Sequence, residues 1–302
     1  MRALSFGKKT IVAHFLLLVV VCNSGIARAQ SPKLEEAKKS ALARIKKSGA
    51  DVGIAFRTLD GKDEWYSRAD EPFHAASTMK VPVLIELFHQ VKQGKLRLDD
   101  ALVIKNQFRS IVDGSPYKLD PADDSEAELY NSKDETRTLG QLAELMITVS
   151  SNFATNLLVE RLGVEEIRAE VHALGADGMN VLRGVEDGKA FEKGMNNTTT
   201  ARGLAILMTA IAEGKAVDAE SSKQMAAILG RQKFNEAIPA GLPRGIRVAH
   251  KTGDITKVHH DAAIVYAKRP FVLVVLVRGI AQEKEAYALM AAIAHDLYAA
   301  TN

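Results

Sequence analysis

The chain lacks the residues that several common kinds of protein chemistry need. Its 302 residues include a single cysteine, Cys22, which lies in an N-terminal apolar stretch. No disulfide and no thiol chemistry is therefore expected beyond that stretch. His74, His259 and His260 do not have a spacing that would bring several ligands to one side of a helix or strand. We therefore expect no metal and no cofactor.

The N-terminus has the three parts of a secretory signal: a basic start, an apolar run and a small-residue cleavage site. They are Arg2 with Lys8 and Lys9, then Ile11–Cys22, then Ala27-Arg28-Ala29. Residues 1–29 are predicted to be a signal peptide, which leaves 273 residues in a secreted or periplasmic chain. An uncleaved anchor is the alternative, but His14 interrupts the run, which is short for a membrane span. The residues before Cys22 are not small, so lipidation is not expected.

An excess of charge of one sign is also missing. The net charge of +3 comes from the four basic residues of the leader, and the remainder holds 36 basic against 37 acidic residues. A nucleic-acid partner is therefore not expected, and neither is a membrane partner once the leader is removed. No internal repeat is visible. The chain is long enough for a large core or for two lobes, and we expect a monomer.

Hydrophobic periodicity and turn residues predict the order of helices and strands. Helices are predicted over residues 34–47, 77–92, 138–149, 152–162, 164–174, 198–212, 218–231 and 283–299. Strands are predicted over residues 51–58, 64–67, 247–252, 262–268 and 271–278. This order indicates an α+β fold within the α/β class. Its antiparallel sheet is flanked by terminal helices, and an all-α lobe is inserted between the two ends of the chain.

The predicted division is an α/β lobe from residues 30–73 with 236–302 and an all-α lobe from residues 74–235. A cleft between two such lobes is a favoured binding site. Residues 106–135 are turn-rich and acidic. Such a long loop is either functional or a solvated surface excursion, and both interpretations stay open.

The stretch from His74 to Ile85 carries a serine followed three residues later by a lysine, at the start of an apolar helical pattern. Ser77 and Lys80 would meet on a helix, and a nearby amine can activate a hydroxyl if burial lowers its pKa. The same spacing occurs at Ser5 and at Ser115, but neither opens a helix. An ordinary helix-capping serine is the plainer interpretation of Ser77 alone.

Three further groups could complete a catalytic site. Lys251-Thr252-Gly253 ends a predicted strand, where a cation, a hydroxyl and a missing side chain suit close approach of a ligand. Ser150-Ser151-Asn152 lies between two helices, where capping is the plainer role. Glu186 lies in the irregular stretch 181–197 and could act as a general base, in competition with Asp187 and Glu192.

The three motifs Ser77-Thr78-Met79-Lys80, Ser150-Ser151-Asn152 and Lys251-Thr252-Gly253 stand in the order found in the penicillin-recognising serine enzymes. The chain most resembles the class A β-lactamases, over essentially its whole mature length. The helix from Asn152 to Leu158 and the stretch Asn197-Thr198-Thr199-Thr200 resemble further parts of that family. The resemblance implies a serine hydrolase acting on β-lactams, with no cofactor, and a role in antibiotic resistance.

The resemblance also implies a role for each matching residue. Ser77 would be acylated, Lys80 would be its base, and Ser150 would pass a proton to the departing lactam nitrogen. Asn152 would hold the substrate amide, while Lys251 and Thr252, next to Gly253, would bind its carboxylate. Backbone N–H groups of Ser77 and Asp254 would form the oxyanion hole, and Glu186 would activate the deacylating water.

Four departures from the family pattern indicate a divergent branch. Ser151 stands where the family usually has aspartate, and Glu186 follows Arg183 by three residues instead of two. Asn197 replaces the usual acidic partner of the arginine, and Ala190 replaces an asparagine four residues after the acid. A penicillin-binding DD-peptidase that acts on peptidoglycan peptides therefore remains an alternative. So does a catalytically silent periplasmic binding protein of the same fold.

Overall fold

The computed structural model describes residues 1, 3, 31–132 and 135–302, and Ser31–Asn302 forms one compact unit. The predicted signal peptide, apart from Met1 and Ala3, lies outside the described residues. The helices are α1 Pro32–Ser48, α2 Lys80–Lys92, α3 Leu139–Thr148, α4 Asn152–Leu162, α5 Val164–Ala173, α6 Gly188–Glu192, α7 Ala201–Ala212, α8 Ala219–Leu229 and α9 Glu283–Thr301. Short 3₁₀ turns span Ala76–Met79, Pro121–Asp123, Ala127–Ser132 and Ile238–Gly241.

Five strands form the main sheet, in the order β2-β1-β11-β10-β9, and every neighbouring pair is antiparallel. They are β1 Asp51–Thr58, β2 Glu64–Ser67, β9 Arg247–Ile255, β10 Val258–Tyr266 and β11 Phe271–Arg278. Six short strands form three two-stranded pairs: β3 Phe73–His74 with β8 Thr198–Thr199, β4 Ala101–Val103 with β7 Thr136–Thr138, and β5 Phe108–Arg109 with β6 Pro116–Tyr117. The predicted sheet from both chain ends is therefore present.

The sheet is covered on both faces because its strands alternate apolar side chains between two cores. Terminal helices α1 and α9 pack against each other on one face, over Ile54, Val275 and their neighbours. Helix α7 packs on the other face, over Ala55, Val274 and the rest of the larger core, which also holds α2, α3 and α4. The α+β fold class is confirmed. The division at residues 73/74 and 235/236 stays a prediction.

Local chemistry explains where several helices start. Thr138 and Asp218 were predicted as first helical residues, but they lie just outside α3 and α8 as capping residues. The Thr138 side chain accepts from the Gln141 N–H, and the Gln141 side chain accepts from the Thr138 N–H. Such reciprocal caps satisfy two backbone donors that the helix leaves free.

Three other predicted starts differ from the observed ones by three or four residues. The helix predicted from Ser77 begins at Lys80, because Ala76 has a positive φ of 45° and Ala76–Met79 forms a 3₁₀ turn. The helix predicted from Thr198 begins at Ala201, because Thr198–Thr199 pairs with Phe73–His74 as a strand.

The strand predicted from Ala262 begins at Val258, four residues earlier. It includes His259, His260 and Asp261, whose polar side chains argued against a strand. All three side chains are buried, and each makes a hydrogen bond to a polar group of a neighbouring strand. A strand tolerates buried polar groups once their hydrogen bonds are made.

Candidate active site

Ser77 lies in the 3₁₀ turn that joins β3 to α2, and its side chain is partly exposed. The Ala76 N–H donates to the Nδ1 atom of His74 at 3.0 Å. A positive φ is unfavourable for alanine, so the surrounding contacts must hold this turn in place. On its other side, Gly253 of β9 lies so close that a Cβ there would be 3.1 Å from the Ser77 nitrogen. The glycine of the third motif thus allows the strand to reach the backbone of Ser77.

Lys80 is fully buried at the start of α2. Its Nζ atom donates to the Ser150 carbonyl at 2.6 Å, to Asn152 Oδ1 at 2.8 Å and to Ser150 Oγ at 3.2 Å. Burial, followed by the positive charge of Lys251, lowers the pKa of Lys80 well below its usual value of 10.5. The lowered pKa favours the neutral amine, which is the form that a general base requires.

Ser150 lies between two buried lysine amines. Its Oγ atom is 3.0 Å from Lys251 Nζ and 3.2 Å from Lys80 Nζ, and its backbone φ is +60°. Lys251 is fully buried on β9, and burial lowers its pKa to about 8. A hydroxyl both donates and accepts, so Ser150 can relay a proton between groups on either side.

Glu186 reaches the same cluster from the loop between α5 and α6, also with a φ of +60°. Its Oε1 atom accepts from Asn152 Nδ2 at 2.5 Å. Burial raises the pKa of Glu186, and the charges of Asp124 and Asp123 raise it further, against the Asn152 hydrogen bond and the Lys80 charge. Asn152 thus joins the Lys80 amine to the Glu186 carboxylate.

Asn156, one turn along α4, fixes the backbone next to Glu186. Its Oδ1 atom accepts from the Val185 N–H at 2.6 Å, and its Nδ2 atom donates to the Val185 carbonyl at 3.0 Å. A Cβ at Gly184 would lie 2.4 Å from Asn156 Oδ1, so the close approach requires glycine there. This clamp holds the carboxylate of Glu186 in one position despite the extra residue after Arg183.

The far end of this loop is held by neutral groups. Asn197 Oδ1 accepts from the N–H groups of Leu182 and Arg183, and its Nδ2 donates to the Arg183 carbonyl. The Arg183 guanidinium donates to the carbonyls of Met195 and Gly184 and to Asn196 Oδ1. Asn197 therefore closes the loop through backbone contacts, where an acidic residue would have formed an ion pair.

Asp187, which the sequence offered only as a competitor of Glu186, has a different role. It is buried, and its carboxylate accepts from the Ser110 hydroxyl, the Ile111 N–H and the Ala190 N–H. Its hydrogen-bonding capacity is used by the long loop and by α6. Asp187 therefore ties residues 106–132 to the loop that carries Glu186.

A cavity of about 490 Å³ opens beside these groups. Ser77, Asn152, Glu186 and Asp254 line it, so four of the nine predicted residues face one space. Other lining side chains include Phe191 and Ile255, which belong to no motif in the sequence, and His74, which was considered only as a metal ligand. Phe191 and Ile255 are exposed, which gives the cavity apolar walls next to its polar floor.

The residues of the third motif, which are predicted to bind substrate, lie along β9. Lys251 and Thr252 are buried, while the Asp254 carboxylate accepts from His259 Nδ1 at 2.9 Å. Burial raises the pKa of Asp254, against its hydrogen bonds to His259 and Tyr287. The Asp254 carboxylate therefore lies against β10 and α9, and the residue lines the cavity.

The histidines considered in the sequence have other partners. The Nε2 atom of His260 donates to the His74 carbonyl at 2.9 Å, and His259 forms a hydrogen bond with Asp254. A set with metal-binding donor types does occur between α2 and α5, where Glu86, His89 and Glu170 place one donor atom each within 4.8 Å of one another. Burial raises the pKa of Glu170, and the His89 ring lies directly against its carboxylate.

Comparison with known proteins places the chain in a family. The model of the β-lactamase enzyme family matches residues 34–301, and the chain belongs to that family. β-Lactamase Toho-1 of Escherichia coli is 25% identical over 273 residues, which cover 88% of each chain. The extended-spectrum β-lactamase PER-1 of Pseudomonas aeruginosa is 26% identical over 312 residues, covering 96% of this chain and 94% of PER-1. The identities are low, as expected for a divergent branch of the class A enzymes.

Solved structures show the same fold. The β-lactamase of Sphaerobacter thermophilus superposes with a TM-score of 0.76 at 26% identity, covering 88% of this chain and 97% of that one. PBP-A superposes with a TM-score of 0.75 at 27% identity, covering 88% and 96%. A mutant of PBP-A, solved as an acyl-enzyme complex with penicillin G, superposes at 0.74. Family and fold together are those of a hydrolase.

Proposed function

We propose that the chain is a class A-like serine β-lactamase that opens the β-lactam ring through an acyl-enzyme on Ser77 and then hydrolyses it. The observation that carries the proposal is the hydrogen-bonded series Lys251–Ser150–Lys80–Asn152–Glu186 along the cavity that Ser77 lines. It holds an amine whose pKa is lowered and a carboxylate whose pKa is raised, joined by the Asn152 amide. The Ser150 hydroxyl next to the amine can relay a proton.

In acylation, Ser77 Oγ bonds to the lactam carbonyl carbon and its proton passes to the neutral Lys80 amine. The ring C–N bond breaks, and the nitrogen takes a proton from Ser150 Oγ. Lys80 returns a proton to Ser150 through the 3.2 Å contact between them. The backbone N–H groups of Ser77 and Asp254 stabilise the negative oxygen, since donors fixed beforehand act most strongly as charge develops.

In deacylation, Glu186 accepts a proton from a water molecule whose oxygen attacks the ester carbonyl carbon. The bond to Ser77 Oγ breaks and the serine recovers its proton, which leaves the opened product and the free enzyme. Lys251 and Thr252 would bind the substrate carboxylate, next to Gly253. The Asn152 side chain contacts Lys80 through Oδ1 and Glu186 through Nδ2. When substrate binds, this amide would turn toward the substrate amide.

The acid limb of hydrolysis is expected to lie above the ordinary glutamate pKa of 4.5. Glu186 must be ionised to accept a proton, and burial raises its pKa, so kcat should fall as the pH drops through that raised value. A kcat profile between pH 4 and pH 9, with circular dichroism at each pH to confirm folding, measures the limb. A kcat that stays constant down to pH 4 would exclude Glu186 as the base.

The second candidate is a penicillin-binding DD-peptidase that acts on peptidoglycan peptides. The similarity to PBP-A favours it, as do Ser151 and Asn197 in place of the family's acidic residues. A silent binding protein of the same fold is a third possibility. Mass spectrometry of protein and ligand after incubation with penicillin G separates them. A DD-peptidase should keep one penicillin mass on the Ser77 peptide, whereas a β-lactamase should consume the penicillin and keep little adduct. An unmodified Ser77 peptide together with intact penicillin would favour the silent binder.

We further propose that residues 1–29 are a signal peptide and that the mature chain acts as a secreted or periplasmic monomer. Within residues 31–132 and 135–302, no helix combines the length and apolar character needed to cross a membrane. Sequencing the N-terminus of the exported protein should give Gln30 as its first residue, and any start within the apolar run would contradict cleavage after Ala29.

A further inference from the structure

The second motif, Ser150-Ser151-Asn152, leads into α4, which begins at Asn152, and it has a serine where the family pattern has aspartate. Ser151 is fully buried, and its Oγ atom accepts from the Ala154 N–H at 3.1 Å, which caps the helix. The same hydroxyl lies 3.3 Å from Asp124 Oδ2, to which it donates. A carboxylate is therefore present beside this position, but it comes from another part of the chain.

Asp124 lies in the long loop, between two 3₁₀ turns. Its Oδ2 atom accepts from the Phe153 N–H at 2.7 Å and from the Tyr130 hydroxyl at 2.9 Å, and Oδ1 accepts from the Glu126 N–H at 3.0 Å. The Tyr130 and Phe153 rings pack with their centroids 4.6 Å apart. A negative charge at a helix N-terminus is favourable, because the first N–H groups have no partner within the helix.

The same loop also touches the catalytic groups. The Asp123 carbonyl lies 3.4 Å from Asn152 Nδ2, the atom that donates to Glu186. The negative charge of Asp124 raises the pKa of Lys80 and that of Glu186. Asp124 thus contacts the helix that presents Ser150 and Asn152, and it acts electrostatically on both groups that move protons.

We propose that Asp124 is a positioning residue whose carboxylate replaces the aspartate missing from the second motif and fixes Ser150 and Asn152 against Lys80 and Glu186. Residues 106–132 are therefore part of the active site. Of the two interpretations left open for this loop, a functional role is the one that Asp124 supports. The catalytic consequence rests on the proposed function, whereas the effect on the first turn of α4 does not.

The test removes the carboxylate at position 124 of the long loop and then introduces one at position 151 of the second motif. The variants are Asp124→Ala, the double variant Asp124→Ala with Ser151→Asp, and Glu128→Gln, which removes an exposed charge from the same loop. Asp124→Ala is expected to slow acylation of Ser77 by penicillin G by up to about 10²-fold, the size of effect caused by a misplacement of about 1 Å. The double variant should recover most of the rate, since alanine leaves room for the new carboxylate. Glu128→Gln should match the wild type.

Two further readouts separate positioning from general stability. The acid limb of the acylation profile should move to lower pH in Asp124→Ala, because the charge that raises the pKa of Lys80 is gone. Hydrogen exchange at the Phe153 amide should be faster in Asp124→Ala and slow again in the double variant.

Unchanged acylation in Asp124→Ala, or a double variant no better than the single one, would overturn the catalytic role. A wild type that is never acylated would instead overturn the proposed function. In that case the Phe153 exchange rates still decide whether Asp124 positions α4, and equal rates in wild type and Asp124→Ala would overturn that role too.

Discussion

Replacing Ser77 by alanine is expected to remove hydrolysis of penicillin G almost entirely, by about 10⁴-fold or more in kcat. The reaction we propose forms a covalent ester on Ser77 Oγ, and alanine has no oxygen atom that could form this ester. Mass spectrometry should show no penicillin adduct on the variant. Its melting temperature should stay close to that of the wild type, because the serine side chain is partly exposed.

The chain offers a matched control for that variant. Ser115 also precedes a lysine by three residues, but its hydroxyl donates to Asp113 Oδ1 within the long loop. Ser115→Ala should therefore keep wild-type turnover and the adduct on Ser77. A Ser77→Ala enzyme that still turned over penicillin would contradict the mechanism, and loss of turnover in both variants would point to a loop effect.

Replacing Glu186 by glutamine is expected to separate the two half-reactions. Glutamine keeps an acceptor for Asn152 Nδ2 but cannot take a proton from water, so deacylation should slow by about 10²–10⁴-fold. Acylation should change little. Rapid mixing with penicillin G followed by mass spectrometry should then show the acyl-enzyme accumulating to nearly one adduct per chain, where the wild type shows little.

Glu192 provides the control for this variant, because it is an exposed acid of the same stretch. Glu192→Gln should deacylate at the wild-type rate. If Glu186→Gln deacylates as fast as the wild type, another group activates the water and the role proposed for Glu186 is wrong. Equal slowing in both variants would show that deacylation depends on the total charge of this stretch and not on the Glu186 carboxylate in particular.

Much of the fold could be predicted because its signals are local. The apolar run from Phe271 to Val277, with Arg278 at its end, predicts a strand over residues 271–278, and these are the bounds of the central, doubly covered strand β11. The start of β10 was missed because His259, His260 and Asp261 resemble a polar loop until their buried partners are known. The pairing of Phe73–His74 with Thr198–Thr199 was missed because neither segment is long enough to show a period.

The candidate site, like the fold, has residues that local sequence motifs predict and residues that they do not. Ser77, Lys80, Ser150 and Lys251 belong to motifs with fixed spacing, and the structure brings Lys80 and Lys251 to the same Ser150 hydroxyl. Asp124 lies 27 residues before Ser151 in the sequence. Its carboxylate accepts from the Ser151 and Tyr130 hydroxyls and from the Phe153 N–H, and no spacing rule connects these groups.

Asp187 was equally hidden, since its partners Ser110 and Ile111 lie in the long loop, 77 and 76 residues before it in the sequence. Both carboxylates were visible only as acidity in irregular stretches. Their roles follow from contacts between loops, which a local reading of sequence does not contain.

The central claim is that this site both forms an acyl-enzyme and releases it. The most direct test mixes the purified wild type with an excess of a chromogenic cephalosporin and follows absorbance from milliseconds to minutes. The account predicts continued colour development over many equivalents per enzyme, with a rate that depends on Ser77 and Glu186. Release of one equivalent followed by a plateau, with the adduct persisting on Ser77, would contradict it and identify a penicillin-binding enzyme without a deacylation step.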